Sequence, residues 1–194
     1  MRVALVDYGM GNLRSVAKAL ETAGADVDLV DAPGRTERAD ALCVPGQGIF
    51  GRCIANLERT RLRDEVVAWI ESGRPYLGIC LGMQILFERS EERGPVGGLG
   101  VIAGDVVKLQ GKVRIPHIGW NEVAWAGDGK DEYFYFDHSY AAHPSDESIV
   151  SGWCEHGERF AAAIESESAT LVQFHPEKSG RAGIEFLRGW VNRS

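Results

Sequence analysis

Strand-like and helix-like patterns alternate along the first half of this chain. Short, continuously apolar runs indicate strands at residues 2–8, 26–30, 41–46 and 75–79. Apolar residues at helical spacing indicate helices at residues 12–24, 56–72 and 81–92. This alternation predicts right-handed β-α-β units, in which helices cover both faces of a parallel sheet. Strands of such a sheet are buried on both sides, which explains why these runs do not alternate with polar residues.

The second half of the chain has a different pattern. The glycine-rich segment at residues 94–104 is predicted to be a loop, and a final helix is predicted at residues 179–192. Between them lie five strand-like pieces: GDVVKL, DEYFYF, SIVSGW, RFAAAIES and TLVQF. These pieces predict antiparallel strands that extend or flank the parallel sheet. We therefore expect one α/β domain over residues 1–194, with a mostly parallel central sheet and an antiparallel extension.

Composition limits the classes of function. The 194 residues are 44% hydrophobic and 25% charged, as in ordinary globular proteins, and the formal net charge is −7. This acidic balance argues against nucleic acid or an acidic membrane surface as the main partner. No apolar stretch approaches the roughly 20 residues of a membrane span. The first apolar run is too short for a secretory signal, and the cysteines lack C-x-x-C spacing, so we expect reduced thiols and a cytoplasmic location.

The sequence GICLG at residues 78–82 is the most informative motif. It falls at a predicted strand-to-helix junction, where G-x-C-x-G predicts the thiol form of a nucleophile elbow, a sharp turn that lifts the reactive atom above the sheet edge. Glycines are expected there because strand and helix backbones pass close together. The amino terminus of the predicted helix favours the Cys80 thiolate, and the Leu81 N–H is predicted to stabilise an oxyanion. The alternative role is a small buried hydrophobe, which we favour for Cys43, Cys53 and Cys154.

A nucleophilic thiol needs a base, and the chain offers five histidines: His117, His138, His143, His156 and His175. His175 is favoured because it follows the apolar run TLVQF, with Glu177 two residues further on. In an extended chain that spacing turns both side chains to one side, and Pro176 helps to keep His175 extended. We therefore predict a Cys80–His175–Glu177 triad, with a surface His-Glu pair of no function as the alternative. The chain has neither HExxH nor P-C-x-x-C, so no metal and no cofactor is expected.

The loop VPGQGIF at residues 44–50 is the candidate for a second oxyanion donor. Gly46 and Gly48 follow a predicted strand and let a backbone N–H turn towards the neighbouring strand end; a plain turn is the alternative. Ligands of open α/β sheets bind at the carboxyl ends of strands, where this loop, Cys80 and His175 are expected to meet. The early DYGMGN begins like a dinucleotide-binding fingerprint but lacks its third glycine, so Asn12 is interpreted as a helix N-cap.

The combination of GICLGMQ, PGQG and a late HPE resembles the class I (triad) glutamine amidotransferases. The resemblance extends along nearly the whole chain through DYGMGNLRSV, PGQGIFG, PYLGICLGMQILFE, IPHIGWN, HSY and HPEKSG. It implies a flavodoxin-like domain that hydrolyses L-glutamine through a glutamyl thioester. It also implies that ammonia passes to a (β/α)8-barrel cyclase subunit in histidine biosynthesis, with no cofactor, nucleic acid or membrane involved.

The resemblance also implies roles for single residues. Cys80 matches the nucleophile, His175 the general acid and base, and Glu177 the residue that orients it. Oxyanion or substrate-binding positions are matched by Gly48, Leu81, Gln84, His138, Ser139 and Tyr140. Contacts with the cyclase subunit are matched by Asn12, Trp120, Asn121 and Lys178. Gln47 departs from the family, which more often has valine in this loop. Another glutaminase of the class, a non-catalytic binding module of the same fold and a cysteine peptidase are the alternatives.

Overall fold

The fold is organised around one large mixed sheet. The computed structural model describes residues 1–127, 129–166 and 168–193. The strands in these ranges are β1 Arg2–Val6, β2 Asp26–Val30, β3 Ala41–Gly46, β4 Tyr76–Cys80, β5 Phe87–Ser90, β6 Val96–Gly97, β7 Ile102–Lys108, β8 His117–Trp125, β9 Glu132–His138, β10 Tyr140–Pro144, β11 Val150–Glu155, β12 Arg159–Ser166 and β13 Ala169–Val172. The helices are α1 Leu13–Ala23, α2 Phe50–Thr60, α3 Arg63–Glu71, α4 Leu81–Gln84 and α5 Gly180–Val191.

The order of the strands confirms the predicted α/β architecture. Over the described ranges, the main sheet has the order β2-β1-β3-β4-β13-β12-β11-β8-β9. The strands from β2 to β13 in this order run parallel. The remaining strands continue the sheet through antiparallel pairs. The chain therefore has a parallel sheet with an antiparallel extension, and β2 and β3 pair with β1 on its two sides.

Helices cover both faces of the parallel part of the sheet. On one face, α1 and α5 contribute Leu20 and Leu187 to a core beneath the sheet. On the other face, α2 and α3 contribute Leu57 and Trp69 to a second core. Within the described ranges, no helix has the length and apolar character needed to cross a bilayer.

The single helix predicted at residues 56–72 is wrong. The segment holds the last five residues of α2 and all of α3, separated by Arg61 in a left-handed conformation with φ of 62°. Leu57 and Leu62, on either side of the break, are both buried. Residues five positions apart lie about 140° apart around a continuous helix. The break therefore lets both leucines face the core.

The helix predicted at residues 81–92 is also wrong. α4 is one turn of four residues, and the chain then enters β5. In the described part of the chain β5 belongs to a smaller sheet with the order β10-β7-β5-β6. Parallel pairing of β5 with β7, together with two hydrogen bonds between Arg89 and Asp105, overrides the local helical preference. The loop predicted at residues 94–104 supplies β6 and the start of β7, so that prediction is corrected as well.

Strand β13 brings distant parts of the sequence together. Its sequence was expected among antiparallel strands, but β13 runs parallel to β4 on one side and antiparallel to β12 on the other. The carboxyl ends of β3, β4 and β13 therefore meet at one edge of the sheet. The residues that follow β13, including His175, are placed beside Cys80 for this reason. Strands β8 and β10 were not predicted from the sequence.

Candidate active site

Cys80 lies on a strained turn between β4 and α4. Its backbone has φ of 54° and ψ of −106°, a region that residues other than glycine rarely occupy. Such a conformation costs about 1–3 kcal/mol and persists only where the surrounding structure enforces it. A Cβ atom on Gly82 would lie 1.8 Å from the Val44 carbonyl oxygen, and one on Gly78 would lie 2.6 Å from the Gly82 oxygen. The predicted need for glycine on both sides of the cysteine is confirmed.

His175 and Glu177 form a buried pair beside this turn. His175 Nδ1 lies 2.7 Å from Glu177 Oε1, and each side chain is 3% exposed. An ionised carboxylate only accepts hydrogen bonds, so Nδ1 carries the proton in this contact. Nε2, the opposite ring nitrogen, is buried and has no aligned hydrogen-bond partner among the described residues. The pair therefore leaves one ring nitrogen available for proton transfer.

Electrostatics at this pair favour a charged imidazole ring. Burial lowers the pKa of His175, but the nearby Cys80 sulfur and the Glu177 carboxylate favour the charged ring, outweigh burial and raise the pKa from 6.5 to about 10. Imidazolium and thiolate stabilise each other in such a contact. Burial raises the pKa of Cys43 and raises the pKa of Cys53 and Cys154 to about 12.

A cavity of about 290 Å³ opens beside the elbow, with Cys80 in its wall. The predicted oxyanion and substrate-binding residues that line it are Gly48, Leu81, Gln84, His138, Ser139 and Tyr140. Gly46 lies outside this lining and is paired with Cys80 in the register of β3 and β4. His175 and Glu177 also lie outside it, in a narrow crevice that they share with Gly46 and Asn12.

Glu92 is a cavity residue that the sequence did not predict. It lines the cavity together with Gln47, Pro116 and Asp137. Its Oε2 accepts a hydrogen bond of 2.7 Å from the Phe50 N–H at the start of α2, which fixes the carboxylate in place. Glu92 lies in the segment predicted to be a helix, where a charged residue is expected to face solvent. Only the pairing of β5 with β7 brings it to the cavity.

His138 is held neutral as part of the cavity wall. Burial lowers its pKa to about 3 and lowers the pKa of His117 to about 4. His138 Nδ1 donates to the Tyr140 carbonyl oxygen at 2.9 Å, and His138 Nε2 accepts from His117 Nδ1 at 3.0 Å. Asn121 donates in turn to His117 Nε2 at 3.2 Å. No cluster of the described residues has the ligands needed to hold a metal ion.

The residues expected at a partner surface have different surroundings. Trp120 is 56% exposed and shares one face of β8 with the exposed Ile118. Lys178 Nζ lies 3.1 Å from Asp137 Oδ2 at the rim of the cavity. The side chain of Asn12 accepts a hydrogen bond from the Ser15 N–H, which confirms the predicted N-cap of α1. The Asn121 side-chain amide is used in intramolecular hydrogen bonds, to His117 Nε2 and to the Glu155 carbonyl oxygen.

A thiol on a strained elbow, a buried histidine-carboxylate pair and a parallel sheet define a class of protein. The model of the family described as Glutamine amidotransferase class-I matches residues 4–191. The chain belongs to this family. Solved structures agree in fold: a crystal structure described as a glutamine amidotransferase superposes with a TM-score of 0.75 and 21% identity, over 96% of this chain and 98% of that chain. The structure of PurLQS from Thermotoga maritima superposes with a TM-score of 0.74 and 20% identity, over 97% and 93%.

Within the family, the chain is similar over its full length to subunits of one synthase. It is 45% identical to the imidazole glycerol phosphate synthase subunit HisH of Methanothermobacter thermautotrophicus, over 97% of each chain. It is 43% identical to the subunit HisH of Aquifex aeolicus, over 100% of this chain and 98% of that one. It is also 44% identical to the chloroplastic imidazole glycerol phosphate synthase hisHF of Arabidopsis thaliana, over 98% of this chain and 34% of that longer protein.

Proposed function

We propose that this chain is the glutaminase subunit of an imidazole glycerol phosphate synthase. It hydrolyses L-glutamine to glutamate and ammonia, and a cyclase subunit uses the ammonia to form imidazole glycerol phosphate and aminoimidazole carboxamide ribotide in histidine biosynthesis. The observation that carries this proposal is the elbow cysteine, which lies in the wall of a small cavity and next to the buried His175–Glu177 pair. Similarity to HisH subunits supports the pathway. The four free cysteines, all in described ranges, support a reducing, cytoplasmic location.

The first step forms a glutamyl thioester. The Cys80 thiolate attacks the carbon of the substrate's side-chain carboxamide, and the carbonyl electron pair moves onto oxygen to give a tetrahedral oxyanion. The Leu81 N–H and an N–H of the Gln47–Gly48 segment are the proposed donors, and one such donor stabilises the transition state by about 2.7–4 kcal/mol. His175 gives its Nε2 proton to the departing nitrogen, the C–N bond breaks, and ammonia leaves.

The second step hydrolyses the thioester. Neutral His175 takes a proton from a water molecule while the water oxygen attacks the thioester carbon. The C–S bond then breaks and restores the Cys80 thiolate beside the His175 imidazolium. The product acid loses its proton to solvent and leaves as glutamate. Glu177 keeps Nδ1 protonated throughout and stabilises the imidazolium each time it forms.

The cavity offers acceptors for the ammonium group of free glutamine. Both amide protons of Gln84 are used inside the protein, because Nε2 donates to the Tyr140 carbonyl and to Gln173 Oε1, each at 2.8 Å. Its Oε1 therefore remains for the ligand. Glu92 adds a full negative charge to the cavity wall. The Ser139 hydroxyl is a proposed donor to the substrate α-carboxylate.

The proposed cyclase contact is the surface around β8. Three large hydrophobic side chains on this surface are each more than half exposed: Ile118, Trp120 and Tyr133. Tryptophan and tyrosine are enriched at the centres of protein interfaces. Lys178 lies near this surface at the cavity rim, through its contact with Asp137. The Arabidopsis protein named hisHF is matched over only 34% of its length, which supports a functional unit larger than this chain.

The proposal is tested by replacing the nucleophile in a complex reconstituted with the cyclase subunit. Cys80→Ala should abolish glutamine-fed formation of imidazole glycerol phosphate and leave ammonia-fed formation intact. Cys154→Ala, at a buried thiol outside the cavity lining, is the matched control and should retain both activities. Loss of both activities in Cys80→Ala would contradict the division of labour, and retention of both would exclude Cys80 as the nucleophile.

A further inference from the structure

Gln173 is a buried polar residue beside the nucleophile that the steps above leave without a role. It follows β13 directly and has no exposed surface. Its side-chain Nε2 lies 3.5 Å from the Cys80 sulfur. Its backbone N–H donates to the Ala162 carbonyl oxygen at 2.9 Å, which fixes the residue to β12. A buried amide in this position has to satisfy both its donor and its acceptor inside the protein.

The orientation of this amide follows from its neighbours. The Tyr140 carbonyl oxygen can only accept, so the Gln84 atom that lies 2.8 Å from it is the NH2 group. The same NH2 group lies 2.8 Å from Gln173, so the Gln173 atom on that side is the oxygen. The NH2 group of Gln173 is therefore the atom that faces the Cys80 sulfur. One backbone carbonyl thus sets the direction of two side-chain amides in sequence.

We propose that Gln173 is a positioning residue for the nucleophile: its amide N–H donates to the Cys80 sulfur, stabilises the thiolate and holds it at the cavity wall. This inference rests on the proposed function, because it takes Cys80 to be the attacking group. Gln84 has a second task in this arrangement, since its NH2 group fixes the Gln173 amide while its oxygen is left for the substrate.

The surroundings of Cys80 explain why such a donor is needed. The sulfur belongs to a residue that is 4% exposed, so water solvates the anion poorly. α4 is a single turn, so the aligned peptide dipoles of a long helix are missing from its amino terminus. His175 supplies a positive charge, and the Gln173 amide supplies a donor from the β13 side. A neutral donor stabilises the thiolate without competing with the imidazolium for the Glu177 carboxylate.

The test is the pH dependence of Cys80 alkylation by iodoacetamide, followed by peptide mass mapping. Gln173→Met removes the donor at similar volume, and Gln173→Glu replaces it with a group that repels a thiolate. The alkylation midpoint should move to higher pH in Gln173→Met, with roughly tenfold less thiolate at a given pH below the midpoint. It should move further in Gln173→Glu. Mapping the same peptides in Cys80→Ala gives the background from the other thiols.

A purely structural role would give a different result. If Gln173 only fills space, Gln173→Met lowers the melting temperature and leaves the alkylation midpoint where it is, which would overturn the inference. If neither variant folds, NMR of the wild-type chain decides. The side-chain amide signals of Gln173 should then shift with the same midpoint as Cys80 alkylation, and signals that stay constant through that range would overturn it.

Failure of this inference and failure of the proposed function are distinguishable. Alkylation reports the thiolate without any glutamine chemistry. An unchanged midpoint in Gln173→Met, in a chain whose wild type hydrolyses glutamine, would contradict the role of Gln173 alone. A shifted midpoint, in a chain whose wild type has no glutaminase activity with its cyclase subunit, would contradict the proposed function and leave the thiolate contact standing.

Discussion

The amide nitrogen of Gln47 lies 3.1 Å from Oδ2 of Asp137, and the same oxygen accepts a hydrogen bond of 3.1 Å from Lys178. Gln47 and Asp137 both line the cavity beside Cys80. Asp137 therefore ties the loop after β3 to β9 and to the turn that follows β13. Since Lys178 is a proposed contact with the cyclase subunit, this tie connects the partner surface to the proposed oxyanion loop.

We expect Gln47→Val to raise glutamine turnover by the isolated chain several-fold. In the proposed mechanism the peptide between Gln47 and Gly48 turns an N–H towards the reacting carbonyl, and the hydrogen bond from Gln47 to Asp137 opposes that rotation. A hydrogen bond to a charged group contributes about 1.5–3 kcal/mol when desolvated, and the partial exposure of Asp137 reduces this. The measurement is the rate of glutamate formation by the chain alone, divided by its rate in the complex with the cyclase subunit and the nucleotide ligand of that subunit. That ratio should rise.

Two further variants make this prediction specific. Gln47→Glu breaks the tie through repulsion by Asp137 and should act in the same direction as Gln47→Val. Gln110→Val removes an exposed amide, bonded to the Lys108 carbonyl outside the cavity lining, and should leave the ratio unchanged. A lower ratio in both Gln47 variants would mean that the tie holds the loop ready for catalysis.

Glu177→Gln should move the alkaline limb of glutamine turnover to lower pH. The Cys80 sulfur and the Glu177 carboxylate both stabilise the charged ring and raise the pKa of His175 to about 10. Without the carboxylate the ring loses its proton at lower pH, and in the proposed mechanism a neutral ring does not protonate the departing ammonia. Misorientation of the ring also removes general acid-base catalysis, which contributes about 10²–10⁴-fold. The measurement is kcat of the complex from pH 6 to the limit of its stability, and an alkaline limb at the wild-type position would contradict the role of Glu177.

The same pKa shift of His175 makes the free energy of unfolding depend on pH, with the larger contribution at low pH. A histidine whose pKa rises from 6.5 to about 10 on folding contributes stability that is fully present below pH 6.5. That contribution is lost as the pH rises through about 10. The free energy of unfolding of the wild type, minus that of Glu177→Gln, should therefore be larger at pH 6 than at pH 10. A difference that grows with pH would contradict a charged His175.

The features that the sequence predicted correctly depend on near neighbours in the chain. The elbow at Cys80 needs Gly78 and Gly82 within two positions, and the N-cap at Asn12 needs only the turn that follows it. The spacing of His175 and Glu177 likewise brings two side chains together inside one short segment. Local geometry of this kind is set by φ and ψ of a few residues, so a short motif carries the information.

The features that were missed depend on pairing between distant segments. The segment after α4 has a helical composition, but it becomes β5 because β7 lies beside it, and this places Glu92 in the cavity. β13 pairs in parallel with β4, across nearly a hundred residues, and this places Gln173 against the Cys80 sulfur. No pattern within either segment indicates its partner, so these contacts could not be predicted from local periodicity.

Glu92→Gln should raise KM for glutamine about ten- to hundredfold and leave kcat within a small factor, because loss of a charged hydrogen-bond partner costs roughly 1.5–3 kcal/mol of binding. The amide of glutamine at position 92 can still accept from the Phe50 N–H, so α2 keeps its contact. Glu91→Gln is the matched control, since Glu91 bonds the Lys108 N–H outside the cavity lining. The monoamide of glutaric acid, which lacks the ammonium group, separates the two explanations of a raised KM. Its turnover should respond equally little to both variants, and a large loss with this substrate in Glu92→Gln would show that the carboxylate shapes the cavity instead of binding the ammonium group.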